Sequence, residues 1–130
     1  MPRSVRENMA RILVIEDEPA ERTSLCRQLA SAGHDVLDTA EAAIALGLVD
    51  LFDAEIVISE VMLRKQDGVA GLLTIRQSFP TLPFIVISEG DQQDAGTLLH
   101  AGGLRQAVWL LSKPFASAEL LKVVEAALAS

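Results

Sequence analysis

The stretch RILVIEDEP, residues 11–19, decides the fold. Its first half is a short apolar run rich in β-branched residues, and its second half is three acids followed by a proline. An almost continuously apolar run is typical of a strand that is buried on both faces of a sheet. Proline suits the first turn of a helix, where its missing N–H is not needed. The stretch therefore predicts a buried strand that leads directly into a helix.

Four further apolar runs follow, beginning at residues 36, 56, 84 and 108, and helical patterns separate them. The run at residue 36 is short and flanked by aspartates, which suits the edge of a sheet. This alternation predicts a three-layer α/β sandwich around a five-stranded parallel sheet. The helical patterns comprise a helix from Pro19 to Gly33, one over Ala40–Leu51 with Ile44 and Leu48 on one face, one through Leu72, Ile75 and Phe79, one from Asp91 or Gln92 to Ala101, and a last helix capped by Ser117.

Length and charge limit the function. The chain has 130 residues, which suits one domain, here expected over residues 11–130 after a flexible lead-in of residues 1–10. The net charge is −7, and because the first eleven residues contribute three arginines and one glutamate (+2), the remainder carries −9. So acidic a body disfavours nucleic-acid binding. A single cysteine and the lack of a long apolar stretch favour a cytoplasmic protein without a membrane span.

Polar residues gather where the predicted strands end, and parallel strands place such ends at one edge of the sheet. Glu16, Asp17 and Glu18 follow the first strand, Glu60 follows the third, and Ser88 and Lys113 follow the fourth and fifth. The first loop lacks the glycines that cradle phosphate. Its carboxylates instead suit a hard cation such as Mg²⁺. Glu18 alone is better interpreted as a helix cap.

These residues carry a resemblance to a known family. Residues 11–19 resemble the opening of bacterial response-regulator receiver domains, and similar motifs occur at residues 55–63, 67–68, 83–88, 100–102 and 112–115. The resemblance implies the flavodoxin-like fold of that family, with strand order 2-1-3-4-5 and five helices. Members of the family accept a phosphoryl group from a histidine kinase on an aspartate after the third strand, with Mg²⁺.

The resemblance also implies roles for individual residues. Glu16, Asp17, Glu60 and the backbone carbonyl of Met62 correspond to the metal site. Ser88 and Lys113 correspond to the groups that contact the phosphoryl group, and the Lys113–Pro114 peptide is expected to be cis.

Glu60 is the decisive departure, because the family has aspartate at this phosphoacceptor position. One extra methylene moves the carboxylate by about 1 Å, and a misplacement of that size can cost on the order of a hundredfold in rate. Glu60 is expected to reach Lys113 instead, so that its charge partly imitates a phosphoaspartate. Other departures lie nearby: Leu110 replaces a usual aromatic residue, Arg64 a usual proline, and the connection before Lys113 is about four residues longer than usual.

The first hypothesis is an atypical receiver that is not an enzyme and serves as a protein-interaction module. Its Mg²⁺ binding is expected to be weak or absent. Its partner is expected to be a histidine kinase, a phosphotransferase, an output protein or a second copy of the chain, bound through residues 92–130. The alternative is a working phosphoacceptor, modified at Glu60 or Asp17. A flavodoxin-like ligand binder is disfavoured by the acidic first loop.

Overall fold

A computed structural model describes residues 9–61, 67–90 and 92–130, with the backbone alone at 92–94. Within these residues no helix has the length and apolar character that crossing a membrane would require. The elements in chain order are β1 (Arg11–Ile15), α1 (Pro19–Ser31), β2 (Asp35–Thr39), a 3₁₀ turn (Ala42–Ile44), α2 (Ala45–Phe52), β3 (Ile56–Glu60), α3 (Gly68–Ser78), β4 (Phe84–Glu89), α4 (Gln92–Ala101), β5 (Val108–Lys113) and α5 (Ser117–Ala129).

The five strands form one parallel sheet of order β2-β1-β3-β4-β5, as predicted. Successive residues of a strand face opposite sides, so the sheet separates two apolar clusters. Ile12 and Val14 face the cluster shared with α1 and α5, whereas Leu13 and Ile15 face the cluster shared with α2, α3 and α4. Burial on both faces explains why the inner strands are apolar without interruption.

The turn from β1 into α1 has the helix start that the sequence predicts. Glu18 is the N-cap of α1, and its Oε2 accepts a hydrogen bond of 2.7 Å from the backbone N–H of Glu21. Pro19 follows as the first helical residue, and Gly33, with φ of +96°, comes just after the helix. The interpretation of Glu18 as a helix cap is therefore confirmed. Glu21 uses only its backbone N–H in the cap, and its side chain lies in the first turn of α1.

Two helix predictions are wrong in detail. The second helical segment starts as a 3₁₀ turn and buries Ala45 and Val49, while Ile44 is 49% exposed. Ala45 and Val49 lie against the sheet, Leu46 and Leu48 pack against the same cluster while partly buried, and Ile44 faces solvent. The N-cap of α5 is Ala116 rather than Ser117, and Glu119 accepts a hydrogen bond from the Ala116 N–H. Ser117 Oγ is thereby free to donate to Gln28 Oε1 of α1 at 2.9 Å.

Arg76 organises the amino-terminal edge of the sheet, opposite the acidic loop. Its guanidinium lies 3.9 Å from the centre of the Phe84 ring. Its N–H groups donate to four backbone carbonyls in two connections, those of Phe79 and Leu82 before β4 and of Gln106 and Ala107 before β5. Ala107 has φ of +54°, a left-handed conformation that is costly for a residue with a Cβ. Arg76 therefore fastens the α4–β5 connection to the body of the domain.

Candidate functional site

An acidic cleft of about 430 Å³ lies at the carboxyl-terminal edge of the sheet. The loop after β1, the first turn of α1 and the ends of β3, β4 and β5 surround it. Six carboxylates and one ammonium group line the cleft: Glu16, Asp17, Glu18, Glu21, Glu60, Glu89 and Lys113. The structure thus brings together most of the residues that the sequence pattern placed at one edge.

Glu60 lies at the end of β3, paired in register with Ile87 of β4, and is only 5% exposed. Its Oε2 lies 2.8 Å from Lys113 Nζ, which confirms the expected contact. Burial raises the pKa of Glu60 to about 7, in spite of the lowering effect of Lys113, and the neighbouring Glu16 adds to the rise. Glu60 is therefore a buried carboxyl group in contact with Lys113, and its pKa lies well above the ordinary value.

Lys113 ends β5, and its peptide bond to Pro114 is cis, as expected. Its Nζ contacts a second carboxylate, Glu21 Oε2, at 2.9 Å. Burial alone would lower the pKa of Lys113, but the hydrogen bonds and charges of Glu60 and Glu21 outweigh it and raise that pKa. Lys113 is therefore a firmly protonated cation held between β3 and α1.

Glu21 was not among the predicted site residues. A signal was available, because Glu21 lies in the first turn of the helix that follows the acidic loop, and so at the same edge of the sheet. Acids in a first helical turn are common, since they offset the helix dipole, and this ordinary role hid the contact with Lys113.

Glu16 is 2% exposed and is held by backbone and side-chain contacts. Its Oε1 accepts from the Glu18 N–H at 3.0 Å, and its backbone carbonyl accepts from Arg22 Nη1 at 2.9 Å. Arg22 also pairs with Asp38 at the end of β2, 3.1 Å away. The position of the buried Glu16 carboxylate is therefore set by the loop itself and by α1.

The donors suit a hard divalent cation in chemistry, but the set differs from the predicted one. Among the described residues, carboxylate oxygens of Glu16, Glu21 and Glu60 lie within 4.8 Å of one another. Oxygen ligands of this kind are what Mg²⁺ takes. Glu21 replaces Asp17 in this close group, although Asp17 lines the same cleft, and Met62 lies outside the described residues. The Lys113 ammonium occupies an oxygen of Glu21 and one of Glu60, so it competes directly with a cation.

Ser88 lies next to Glu89 near the end of β4 and is 2% exposed. Its Oγ has no hydrogen-bond partner among the described residues. A buried hydroxyl without a partner is costly, and such groups often have a ligand or a function. The expected role of Ser88 toward a phosphoryl group stays a prediction.

The geometry can be set beside known proteins. A family model described as response regulator receiver domain matches residues 12–125. The chain belongs to the response-regulator receiver domain family. This receiver domain is 33% identical over 120 residues to the DNA-binding transcriptional regulator NtrC of Rhizobium meliloti, which covers 92% of the chain and 24% of that protein. It is 36% identical over 121 residues to NtrC of Azospirillum brasilense, again 24% of the relative's length.

Solved structures agree with the fold. A putative response regulator from Chloroflexus aurantiacus superposes with a TM-score of 0.82 at 25% identity, covering 94% of this chain and 99% of the other. The receiver domain of NtrX from Brucella abortus superposes with a TM-score of 0.80 at 27% identity, covering 92% and 98%. The receiver domain thus corresponds to whole solved domains, while it spans about a quarter of the length of the NtrC relatives.

Proposed function

We propose that this receiver domain acts in two-component signalling as a protein-interaction module that does not accept a phosphoryl group at Glu60. One observation carries the proposal: Glu60 Oε2 already lies 2.8 Å from Lys113 Nζ. In a receiver, that lysine is the group expected to bind the incoming phosphoryl oxygens. Here the side chain of Glu60 itself contacts the ammonium group of that lysine.

Nucleophilic attack at phosphorus needs an ionised carboxylate held in line with the donor. Two features of Glu60 oppose this. The side chain is one methylene longer than the aspartate that the family uses, and it points its oxygen at Lys113. Its pKa is raised to about 7 by burial, so near neutral pH a large share of the side chains carries a proton and cannot attack.

A cation would bind, if at all, through the oxygens of Glu16, Glu21 and Glu60. When bound, Mg²⁺ supplies positive charge that stabilises transferred phosphoryl oxygens. In this chain Lys113 already neutralises part of the cluster and stands against two of the three carboxylates. We expect weak Mg²⁺ binding for this reason.

The partner is expected to be a separate signalling protein or a second copy of the chain, bound through α4, β5 and α5, residues 92–130. The lengthened connection before β5 changes this face relative to other receivers. The contact between Glu60 and Lys113 would then hold the domain in one state for that partner, instead of switching it.

The test uses the purified domain, acetyl phosphate and Mg²⁺, with intact mass as the readout. The expected result is no covalent gain of a phosphoryl mass in the wild-type protein and partial labelling of Glu60→Asp. Glu60→Gln is the matched control, because it keeps the length of the side chain and removes the nucleophile. Stoichiometric labelling of the wild type would instead support the working phosphoacceptor, and peptide mapping would assign it to Glu60 or Asp17.

A further inference from the structure

The contact between Lys113 and Glu21 has a consequence for phosphoryl transfer beyond its competition with a cation. The two distances from Lys113 Nζ, 2.8 Å to Glu60 and 2.9 Å to Glu21, are nearly equal. The two carboxylates differ in burial, since the Glu60 side chain is 6% exposed and the Glu21 side chain 44%. The ammonium is therefore shared between an inner and an outer acid.

Glu21 is well placed for this sharing because its backbone is fixed. Its N–H donates to the cap Glu18, and Pro19 precedes it in the same turn. Ser117 Oγ of α5 donates to Gln28 of α1 at 2.9 Å, one to two turns further along the helix. The cap fixes the first turn of α1, and the Ser117–Gln28 bond joins a later turn of the same helix to α5, so the Glu21 carboxylate stays beside Lys113.

We propose that Glu21 is a positioning residue that restrains Lys113, so that the site resists phosphoryl transfer for a second reason besides the glutamate at position 60. This inference rests on the proposed function and deepens it. A lysine that already neutralises Glu21 offers less positive charge to an arriving phosphoryl group. Restoring aspartate at position 60 then repairs only one of two defects.

The step concerned is transfer from acetyl phosphate to the carboxylate of the Glu60→Asp variant. A carboxylate oxygen forms a new P–O bond, the P–O bond to acetate breaks, and acetate leaves with the electron pair. No proton is required from the protein. The cation and Lys113 must stabilise the negative charge on the three transferred oxygens. Because the Glu21 carboxylate partly neutralises Lys113, less of the positive charge of Lys113 acts on those oxygens.

The experiment compares labelling rates of Glu60→Asp alone, with Glu21→Gln, and with Glu89→Gln. Glu89 is the matched control, because it lines the same cleft and pairs with Lys113 in backbone register, but the ion pairs of Lys113 are with Glu21 and Glu60. Removing either acid lowers the general repulsion of the donor. Both double variants are measured at saturating Mg²⁺, because Glu21 is also one of the three carboxylates that would hold the cation. Under that condition we expect Glu21→Gln to raise the rate about tenfold above the Glu89→Gln double variant. Equal rates in the two double variants would overturn the proposal.

A second measurement keeps the proposal testable if Glu60→Asp is not labelled in any background. In ¹⁵N-edited NMR spectra of the lysine ammonium groups, Glu21→Gln should shift the Lys113 Nζ signal of an otherwise wild-type domain, and Glu89→Gln should leave it in place. An unmoved signal in Glu21→Gln would refute the sharing. Wild-type labelling decides the proposed function by itself, so the two ideas fail separately.

Discussion

Lys113 and Glu21 join the end of the last strand to the first turn of the first helix through an ion pair of 2.9 Å. The same ammonium reaches Glu60, so one cation connects three separate elements of the fold. Because six carboxylates line the cleft around it, the electrostatics of the site depend on this lysine more than on any one acid.

The first prediction compares the two ends of the inner ion pair. Lys113→Ala removes the ammonium that contacts Glu21 and Glu60 beside the buried Glu16, and uncompensated buried charge is costly. Glu60→Gln removes a carboxylate whose charged form is already disfavoured. We expect urea unfolding near pH 7 to show that Lys113→Ala lowers the free energy of unfolding by about 2 kcal/mol. This is less than for a fully buried pair, because the lysine side chain is 21% exposed. Glu60→Gln should lower the free energy of unfolding by a smaller amount. If Glu60→Gln is the more destabilised variant, the lysine does not hold an over-acidic cleft.

The second prediction concerns pH. The pKa of Glu60 is raised from its ordinary value of 4.5 to about 7 in the folded protein, so the native state keeps a proton that the unfolded chain loses. The stabilisation from the protonated form is complete below about pH 4.5 and is lost as the pH rises to about 7. Relative to Glu60→Gln, the wild type should lose about 1–3 kcal/mol over this interval. Parallel urea titrations of both proteins from pH 4.5 to 8 test this, and a constant difference between them would contradict it.

The third prediction concerns Mg²⁺. Because Lys113 competes for oxygens of Glu21 and Glu60, a few millimolar Mg²⁺ should raise the melting temperature of the wild type by less than about 2 °C. Lys113→Ala should respond more strongly, since the three carboxylates then have no ammonium between them. Thermal unfolding with and without Mg²⁺ measures both, with Ca²⁺ as a second cation of larger radius. A large rise in the wild type, equal to that of the variant, would show that the lysine does not compete.

The fourth prediction concerns Arg76 at the opposite edge. Lysine cannot reproduce the planar guanidinium that stacks on Phe84 and donates to several carbonyls at once. We expect Arg76→Lys to lose about 2 kcal/mol in urea unfolding. Arg105→Lys is the control, because Arg105 is exposed in the same connection. Equal stabilities of the two variants would mean that Arg76 does not fasten the connection.

Patterns of apolar residues predicted the sheet well, because strands buried on both faces are apolar until the polar residues at their carboxyl ends. The strand order came from the family resemblance, and the motif at residues 11–19 located the acidic edge. Helix faces were harder. Ile44 and Leu48 matched a helical period, and Leu48 does pack against the core, but Ile44 is 49% exposed and the fully buried residues of the helix are Ala45 and Val49.

The sequence predicted the contact between Glu60 and Lys113 but not the contact between Glu21 and Lys113. Glu60 and Lys113 could be paired because both lie at the carboxyl ends of parallel strands, at one edge of the same sheet. Glu21 could not be singled out, because its contact with Lys113 joins residues 92 positions apart in sequence and depends on how α1 packs beside β5. Tertiary contacts between a helix and a non-adjacent strand leave no periodic signal along the chain.

The two ends of β5 have different roles, and Arg76 holds the connection that enters one of them. The amino end of β5 receives the lengthened connection, and its carboxyl end presents Lys113 to the acidic cleft. Six residues of extended strand, hydrogen-bonded along one side to β4, lie between them. The length of β5 therefore keeps the connection that Arg76 holds at one end of the strand apart from the charged groups around position 60 at the other end.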